Sequence, residues 1–236
     1  MMLERLLNAD IFGDGLSGII FDMDGVIFDS ESVWKRTTEK INSRFGIVFD
    51  EKYRQSLCGM DERGIRSKLK MDYPGKDVDN YRDTLVKAVT TRLSTEPLTK
   101  NGFLELVETC RLRGMKVGLA TSSSRGRAEI MFSNNGMNME SLFDAVVFGT
   151  EVVRSKPDPE IFLLAASRLG IPNSECIVVE DSLNGLRAAH EGGFVPVMVV
   201  DLIEPDTWVL DNGIPVFRNL SELKDLLEGG SGFQGI

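Results

Sequence analysis

Two aspartates come directly after the first apolar run of the chain, at a spacing that suits metal chemistry. The run 18–21 is apolar, and Asp22, Asp24 and Gly25 follow it. Aspartate is uncommon inside strands, whereas carboxylate oxygens are ligands that Mg²⁺ takes in proteins. An ordinary Asp-Gly turn in front of a helix explains the same residues. The choice between the two depends on what else the fold brings to this place.

Polar residues of matching chemistry follow three later apolar runs. They are Thr121 and Ser122, Lys156 before Pro157, and Glu180 with Asp181. Hydroxyls and main-chain N–H groups at a helix start can hold a phosphate, although a serine run there is as often a helix cap. The ammonium of Lys156 could offset clustered carboxylates and phosphate, while a lone lysine is usually a solvated surface residue. Related chemistry after four apolar runs favours one shared site.

Five short apolar runs predict the parallel sheet that would assemble this site. They are rich in β-branched residues and do not alternate with polar ones, which indicates strands covered on both faces. The runs are 18–21, 116–120, 145–148, 176–179 and 195–200. Helical patterns lie between the later runs, so we predict an α/β fold with a doubly wound parallel sheet. In such sheets ligands bind at the carboxyl ends of the strands, where the polar residues lie.

A helical segment interrupts the alternation of strand and helix. A four-residue repeat of mostly apolar positions runs through Val33, Thr37, Ile41 and Phe45, and a similar pattern returns between Tyr81 and Leu93. This spacing is typical of helices with one buried face, and no strand-like run lies between. The predicted parts are an α/β catalytic core of residues 16–32 and 99–228, an all-helical cap of residues 33–98, and a disordered tail of residues 229–236.

Composition and charge limit the class of protein. The chain has 236 residues, 42% of them hydrophobic, and a formal net charge of −9. Nucleic acids select basic surfaces, so we do not expect one as a partner. A single histidine excludes a multi-histidine zinc site, and the three cysteines show no CxxC spacing. No apolar run approaches the length of a membrane span, and we expect a soluble, cytoplasmic monomer.

The polar stretches together resemble the haloacid dehalogenase superfamily. Its four motifs match FDMDGVIFDSE (21–31), LATSSS (119–124), SKPDPEIF (155–162) and VVEDSLNGLRAA (178–189). The similarity is greatest to the branch that contains β-phosphoglucomutase and sugar phosphate phosphatases. It covers the chain from about residue 17 to residue 225 and implies a doubly wound core with a helical cap inserted after the first motif.

Carried over position by position, the resemblance implies a role for each motif residue. Asp22 would be the nucleophile that forms an aspartyl phosphate. Asp24 would be the acid that protonates the leaving oxygen, and then the base that activates water. Thr121 would bind the phosphoryl group with Ser122 beside it, and Lys156 would neutralise charge between nucleophile and phosphate.

The resemblance also implies Mg²⁺ as the cofactor. Its ligands would be the Asp22 carboxylate, the main-chain carbonyl of Asp24 and Asp181, with Glu180 either a direct ligand or one shell further out. The helical insert is expected to select the substrate. Gly59 lies in a candidate loop of that insert, and Arg63, Arg66 and Lys68 follow it. Gly59 and Arg63 are candidate substrate-binding residues, although a solvated helix face explains the basic residues equally well.

The motif set predicts a Mg²⁺-dependent phosphatase that acts on a small phosphorylated metabolite, with a sugar phosphate as the expected substrate. A phosphomutase would use the same core residues. Mutases of the branch, however, carry a histidine four residues after a threonine in the first cap helix, where this chain has Trp34 and Ser30. Dehalogenases lack the carboxylate that Asp24 supplies. A non-catalytic binding module would be expected to have lost the nucleophile or a metal ligand, and none is missing.

Overall fold

The computed structural model describes residues 15–50, 53, 56–57, 62–96 and 98–229. Six parallel strands form one sheet in the order β3-β2-β1-β4-β5-β6. They are β1 (Gly18–Phe21), β2 (Lys116–Thr121), β3 (Ala145–Phe148), β4 (Cys176–Glu180), β5 (Val195–Val199) and β6 (Val216–Phe217). The doubly wound sheet and five of its strands confirm the prediction. The sixth strand was missed because two residues are too short for a recognisable apolar run.

Strand β1 lies in the middle of the sheet and is buried along its whole length. Its register pairs Phe21 with Leu119 of β2 on one side and with Val179 of β4 on the other. The residues that follow these three therefore emerge at the same edge of the sheet. This register is what brings Asp22 level with Glu180, although the two lie far apart in the sequence.

Residues Ser30–Glu96 form a compact unit of their own, separate from the unit made by the rest of the chain. Its helices include α1 (Ser30–Phe45), α2 (Glu62–Asp72) and α3 (Val78–Leu93). Apolar side chains spaced at helical intervals form its core, including the fully buried Leu69 and Tyr81. The Tyr81 hydroxyl donates to Asn42 Oδ1 at 2.7 Å, so the one polar atom of that ring is satisfied inside the unit.

The other unit carries the sheet and the remaining helices. These are α4 (Phe103–Leu112), α5 (Arg125–Asn134), α6 (Met139–Leu142), α7 (Glu160–Leu169), α8 (Leu183–Glu191), α9 (Thr207–Asp211) and α10 (Leu220–Leu227). Short 3-10 turns occupy Gly149–Glu151 and Asn173–Glu175. Side chains such as Phe162 of α7 and Val178 of β4 share one buried apolar cluster, which fixes the helices against the sheet.

Two sequence predictions lie outside the described residues: the loop position of Gly59, and the tail from residue 230 onward. Within the described residues, none of the helices is both long and apolar enough to span a membrane.

Candidate active site

The centre of the site is an ion pair at the end of the central strand. Lys156 Nζ donates to Asp22 Oδ1 at 2.6 Å and to Glu180 Oε1 at 2.6 Å. The three side chains are only 9%, 11% and 1% exposed, respectively. A buried charge of either sign is costly unless it is paired, so the lysine and the carboxylates require one another. Asp22 Oδ2 receives no hydrogen bond from the residues that the structure describes. It is therefore the oxygen available to react or to bind a metal.

Both oxygens of Glu180 are already engaged. Oε1 accepts from Lys156, and Oε2 accepts from the main-chain N–H groups of Asp181 and Ser182 and from the Ser182 hydroxyl, at 2.9–3.1 Å. Ser182 is also the N-cap of α8, since its Oγ accepts from the N–H of Gly185. Glu180 therefore orients Lys156 and the start of α8. This geometry suits a Glu180 that supports the metal ligands from one shell further out, rather than one that binds the metal directly.

Gly185 provides the room for this arrangement. A Cβ at this position would lie 1.9 Å from the Glu180 carboxyl carbon. Alanine normally stabilises a helix interior relative to glycine by about 1 kcal/mol. At Gly185 we expect the opposite sign, because the added methyl group must displace the carboxylate that holds Lys156.

Gly185→Ala is expected to lower the free energy of unfolding by about 1–3 kcal/mol, as overpacking of a close-packed site does. The matched control is Gly126→Ala in the first turn of α5, where nothing lies within 4 Å of a Cβ. That variant should be neutral or up to about 1 kcal/mol more stable. Urea unfolding of the two variants measures both values, and equal stabilisation by both would contradict the packing argument.

Burial and neighbouring charges shift the pKa values of Asp22, Asp181 and Lys156. Burial raises the pKa of Asp22 from 3.8 to about 7, with further increases from Glu180 and Asp24 and an opposing effect of Lys156. Burial also raises the pKa of Asp181, and the charges of Glu180 and Asp22 add to the rise. Burial alone would lower the pKa of Lys156, but the two carboxylates outweigh it and the pKa is raised. Lys156 is therefore a fixed cation, whereas Asp22 titrates near neutral pH.

The carboxylate of Asp24 contacts the loop after β2 and the first turn of α5. Ser123 Oγ donates to Asp24 Oδ2 at 2.9 Å, and Arg127 Nη2 donates to Asp24 Oδ1 at 2.7 Å. The carboxylate of Asp24 is thus held on both oxygens by residues of one loop and helix. Neither Ser123 nor Arg127 was assigned a role from the sequence.

The loop after β2 has the features of a phosphate cradle. Thr121 is buried, and its Oγ1 accepts from the N–H of Ser123 at 3.1 Å. The Ser122 side chain is exposed, and Ser124 caps the following helix by accepting from the N–H of Arg127. A helix N-terminus and hydroxyls therefore meet beside Asp24, an arrangement that can hold a phosphate. Ser124 is thus a helix cap, while Thr121 and Ser122 stay candidates for binding a phosphate.

Asp181 lies against the turn that follows Asp24. An added Cβ at Gly25, which has a φ of +78°, would be 2.1 Å from Asp181 Oδ2. Lys100 Nζ donates to the Gly25 carbonyl at 2.5 Å and to Asp201 Oδ1 at 2.6 Å. Sequence reasoning missed Lys100 and Asp201. The signal available for Asp201 was an aspartate close behind the fifth apolar run, the same signal that identified Asp22.

These residues fit a divalent cation. Asp22 and Asp181 are carboxylates whose pKa values are raised by burial and by neighbouring carboxylates, which is an environment that a dication stabilises. Asp201 Oδ2, close by, is a further buried acceptor, and it has no hydrogen-bond partner among the described residues. Among the described residues, no three Asp, Glu, His or Cys side chains are grouped to hold a metal. A donor set of two carboxylates and one main-chain carbonyl does not require a third side chain.

The basic residues of the helical unit differ in their partners. Arg66 pairs with Glu62, Asp79 and Asp83, at N···O distances of 2.6–3.3 Å. Lys68 pairs with Asp72 at 2.9 Å. Arg63 is exposed in the first turn of α2 and pairs with no residue in the described part of the chain. Arg66 and Lys68 thus belong to ion-pair networks within the helical unit, and Arg63 does not.

A doubly wound sheet, a buried aspartate–lysine pair at the end of its central strand and a helical insert after that strand define a capped α/β enzyme class. Residues 19–199 match the model of the haloacid dehalogenase-like hydrolases, and the chain belongs to this family.

Named relatives cover most of the chain. A phosphorylated carbohydrates phosphatase from Thermotoga maritima is 29% identical over 216 residues, which are 90% of this chain and 99% of that protein. The chloroplastic protein SUPPRESSOR OF QUENCHING 1 from Arabidopsis thaliana is 30% identical over 92% of this chain, but the chain spans only 21% of that protein. A crystal structure of a candidate β-phosphoglucomutase from Thermotoga maritima superposes with a TM-score of 0.74 at 28% identity, and covers 91% of this chain and 99% of that one.

Proposed function

We propose that the chain is a Mg²⁺-dependent phosphatase that hydrolyses a small phosphorylated carbohydrate through an aspartyl phosphate on Asp22. The observation that carries the proposal is the buried Asp22 carboxylate, held by Lys156 at 2.6 Å at the end of the central strand. A carboxylate nucleophile divides phosphoryl transfer into two displacements. The family membership and the phosphatase among the relatives support the same reaction.

In the first half of the reaction, an oxygen of Asp22 bonds to phosphorus while the bond between phosphorus and the alcohol oxygen breaks. Asp24 gives its carboxyl proton to that alcohol oxygen, so the alcohol leaves neutral and Asp24 becomes a carboxylate. Lys156 offsets the charge on Asp22 and on the transferred group. The hydroxyl of Thr121 and the main-chain N–H groups at the start of α5 hold the phosphoryl oxygens.

In the second half, water attacks the phosphorus of the aspartyl phosphate. Its proton goes to the Asp24 carboxylate as the new P–O bond forms, and the bond from phosphorus to Asp22 breaks. Inorganic phosphate leaves, Asp22 is restored as a carboxylate, and Asp24 is again protonated. Atoms and protons therefore balance over one turnover.

Asp22, Asp181 and the main-chain carbonyl of Asp24 are the residues that would hold Mg²⁺, with Glu180 supporting them. When bound, the cation offsets the negative charge of the phosphate and of the two carboxylates. Lys100 is not one of these ligands, but it donates to the Gly25 carbonyl and so fixes the turn that follows the Asp24 carbonyl.

The proposed substrate class rests on the relatives and on one basic residue of the helical unit. The Thermotoga maritima relative acts on phosphorylated carbohydrates by its name. Arg63, which pairs with no residue in the described part of the helical unit, supplies a cation for an anionic substrate. A phosphomutase is the second candidate, because a relative of known structure carries that candidate name. The position where mutases have a histidine is Trp34, which argues for hydrolysis.

Release of inorganic phosphate from sugar phosphates and nucleoside monophosphates, with Mg²⁺ and with chelator, tests the proposal. The series includes β-glucose 1-phosphate, with glucose 6-phosphate measured alongside. We expect metal-dependent phosphate release, fastest with a sugar phosphate. Conversion to glucose 6-phosphate with little phosphate released would identify a mutase. No turnover of any ester with Mg²⁺ would favour a non-catalytic binding protein.

Mg²⁺ affinity is expected to increase as the pH rises. The pKa of Asp22 is raised to about 7, so below neutrality the cation must displace a proton from this carboxyl, and burial raises the pKa of Asp181 as well. Between about pH 8 and about pH 6 we expect a loss of roughly tenfold or more in affinity. Titration calorimetry without substrate measures this. Asp181→Asn should weaken binding and reduce the pH dependence, and a wild-type affinity that is constant over this range would contradict the fit.

A further inference from the structure

Helix α5 begins with a charge pattern that works against its stability. Arg125 and Arg127 both lie in its first turn, and that turn contains no acidic residue. The N-terminus of a helix carries a partial positive charge, so cations there are unfavourable by a few tenths of a kcal/mol or more. Unfavourable local arrangements of this kind are expected at residues that contribute to a functional site rather than to the stability of the fold.

The contacts of Arg127 indicate its role. Its Nη2 donates to Asp24 Oδ1 at 2.7 Å, while its Nε is buried without a partner among the described residues. A buried N–H that lacks an acceptor costs stability as well. The neighbouring Arg125 is exposed, lies 4.6 Å from the centre of the Phe148 ring and pairs with Glu129 at 3.7 Å. The contact of Arg127 with Asp24 therefore comes with two unfavourable features, a cation at a helix N-terminus and a buried Nε–H without an acceptor among the described residues. Arg125 does not contact Asp24.

We propose that Arg127 is a positioning residue that holds Asp24, together with Ser123, for the hydrolysis of the aspartyl phosphate. This inference rests on the proposed function. Both oxygens of Asp24 accept hydrogen bonds, one from a guanidinium and one from a hydroxyl. This is the donor arrangement of a carboxylate, and the carboxylate is the form of Asp24 that takes a proton from water in the second half of the reaction.

The two halves of the reaction depend on Arg127 to different extents. The first half needs a protonated Asp24, whose proton has to reach the leaving alcohol, and it needs little from Arg127 when the leaving group is a good one. The second half needs a carboxylate whose orientation toward water is fixed. Loss of Arg127 therefore slows hydrolysis of the aspartyl phosphate selectively and leaves phosphorylation of Asp22 nearly intact.

The test uses p-nitrophenyl phosphate with Mg²⁺ and the whole chain. Nitrophenolate leaves without help from an acid, so kcat/KM reports formation of the aspartyl phosphate and kcat reports the slower half. For Arg127→Met we expect kcat to fall about 10- to 100-fold, KM to fall with it, and kcat/KM to change less than about threefold. Rapid mixing should show a burst of nitrophenol of about one equivalent per enzyme. Arg127→Lys should recover part of kcat, and Arg125→Met should behave as wild type.

The outcomes distinguish a failure of the positioning role of Arg127 from a failure of the proposed function. A parallel fall of kcat and kcat/KM without a burst would overturn the positioning role, because general damage to the site lowers both. An unchanged or higher kcat in Arg127→Met would overturn it too. If wild type forms an aspartyl phosphate on Asp22 in either case, the proposed function stands without the inference. If wild type forms none, the proposed function itself fails.

Discussion

Asp22→Asn is expected to lower kcat by about four orders of magnitude or more, since removal of a covalent nucleophile leaves only binding and charge stabilisation. The amide has nearly the shape of the carboxylate, but it is a poor nucleophile toward phosphorus. Steady-state phosphate release with the best substrate measures the loss. Asp211→Asn, at the exposed end of α9, is the matched control and should keep full activity.

The fold should survive Asp22→Asn, so the loss cannot be assigned to unfolding. The pKa of Asp22 is raised from 3.8 to about 7, chiefly by burial. The stability that its protonated form contributes is present below the unfolded value of 3.8 and is lost as the pH rises through about 7. Without metal, the variant should therefore match or exceed wild type in stability at about pH 8. Turnover near the wild-type rate would show that Asp22 is not the nucleophile.

Lys156→Met is expected to lower kcat/KM by about a thousandfold, because a buried cation beside the transferred phosphate stabilises the transition state. It should also lower the free energy of unfolding by about 3–5 kcal/mol, since Asp22 and Glu180 remain buried without their partner. Phosphate release and urea unfolding measure the two effects. Lys116→Met, on the exposed first residue of β2, should change neither.

The loss of stability in Lys156→Met should depend on pH. Without the lysine, the pKa of Asp22 rises further above its ordinary value, so the protonated protein stays stable and the destabilisation increases as the pH rises. Adding Glu180→Gln removes one of the unpaired carboxylates and should recover part of the stability without recovering activity. A double variant as unstable as Lys156→Met would contradict the assignment of Lys156 as the counter-ion of both carboxylates.

The strands and the strand-end residues of the site were predictable because each is a local signal. The runs at 18–21 and 176–179 are apolar and continuous, which only a strand covered on both faces explains well. Asp22, Thr121 and Glu180 lie at or just after strand ends, and the rule that ligands bind at the carboxyl edge applies to them without further information.

The partners of Asp24 and Asp201 could not be predicted, because they are set by tertiary packing. Arg127 contacts Asp24 across 103 positions of sequence, and Lys100 contacts Asp201 across 101. Nothing near either cation in the sequence identifies its acceptor. The one local signal was the pair of arginines in the first turn of α5, which is unfavourable for a helix and becomes informative only once the turn is known to lie beside Asp24.

The most direct measurement of the central claim is chemical trapping of the phosphorylated residue. Enzyme turning over a sugar phosphate with Mg²⁺ is quenched in acid and reduced with borohydride, which converts an aspartyl phosphate to homoserine, and its peptides are read by mass spectrometry. We predict homoserine at position 22, absent when substrate or Mg²⁺ is left out. Aspartate unchanged at position 22 during active turnover, or homoserine at position 24 instead, would contradict the account.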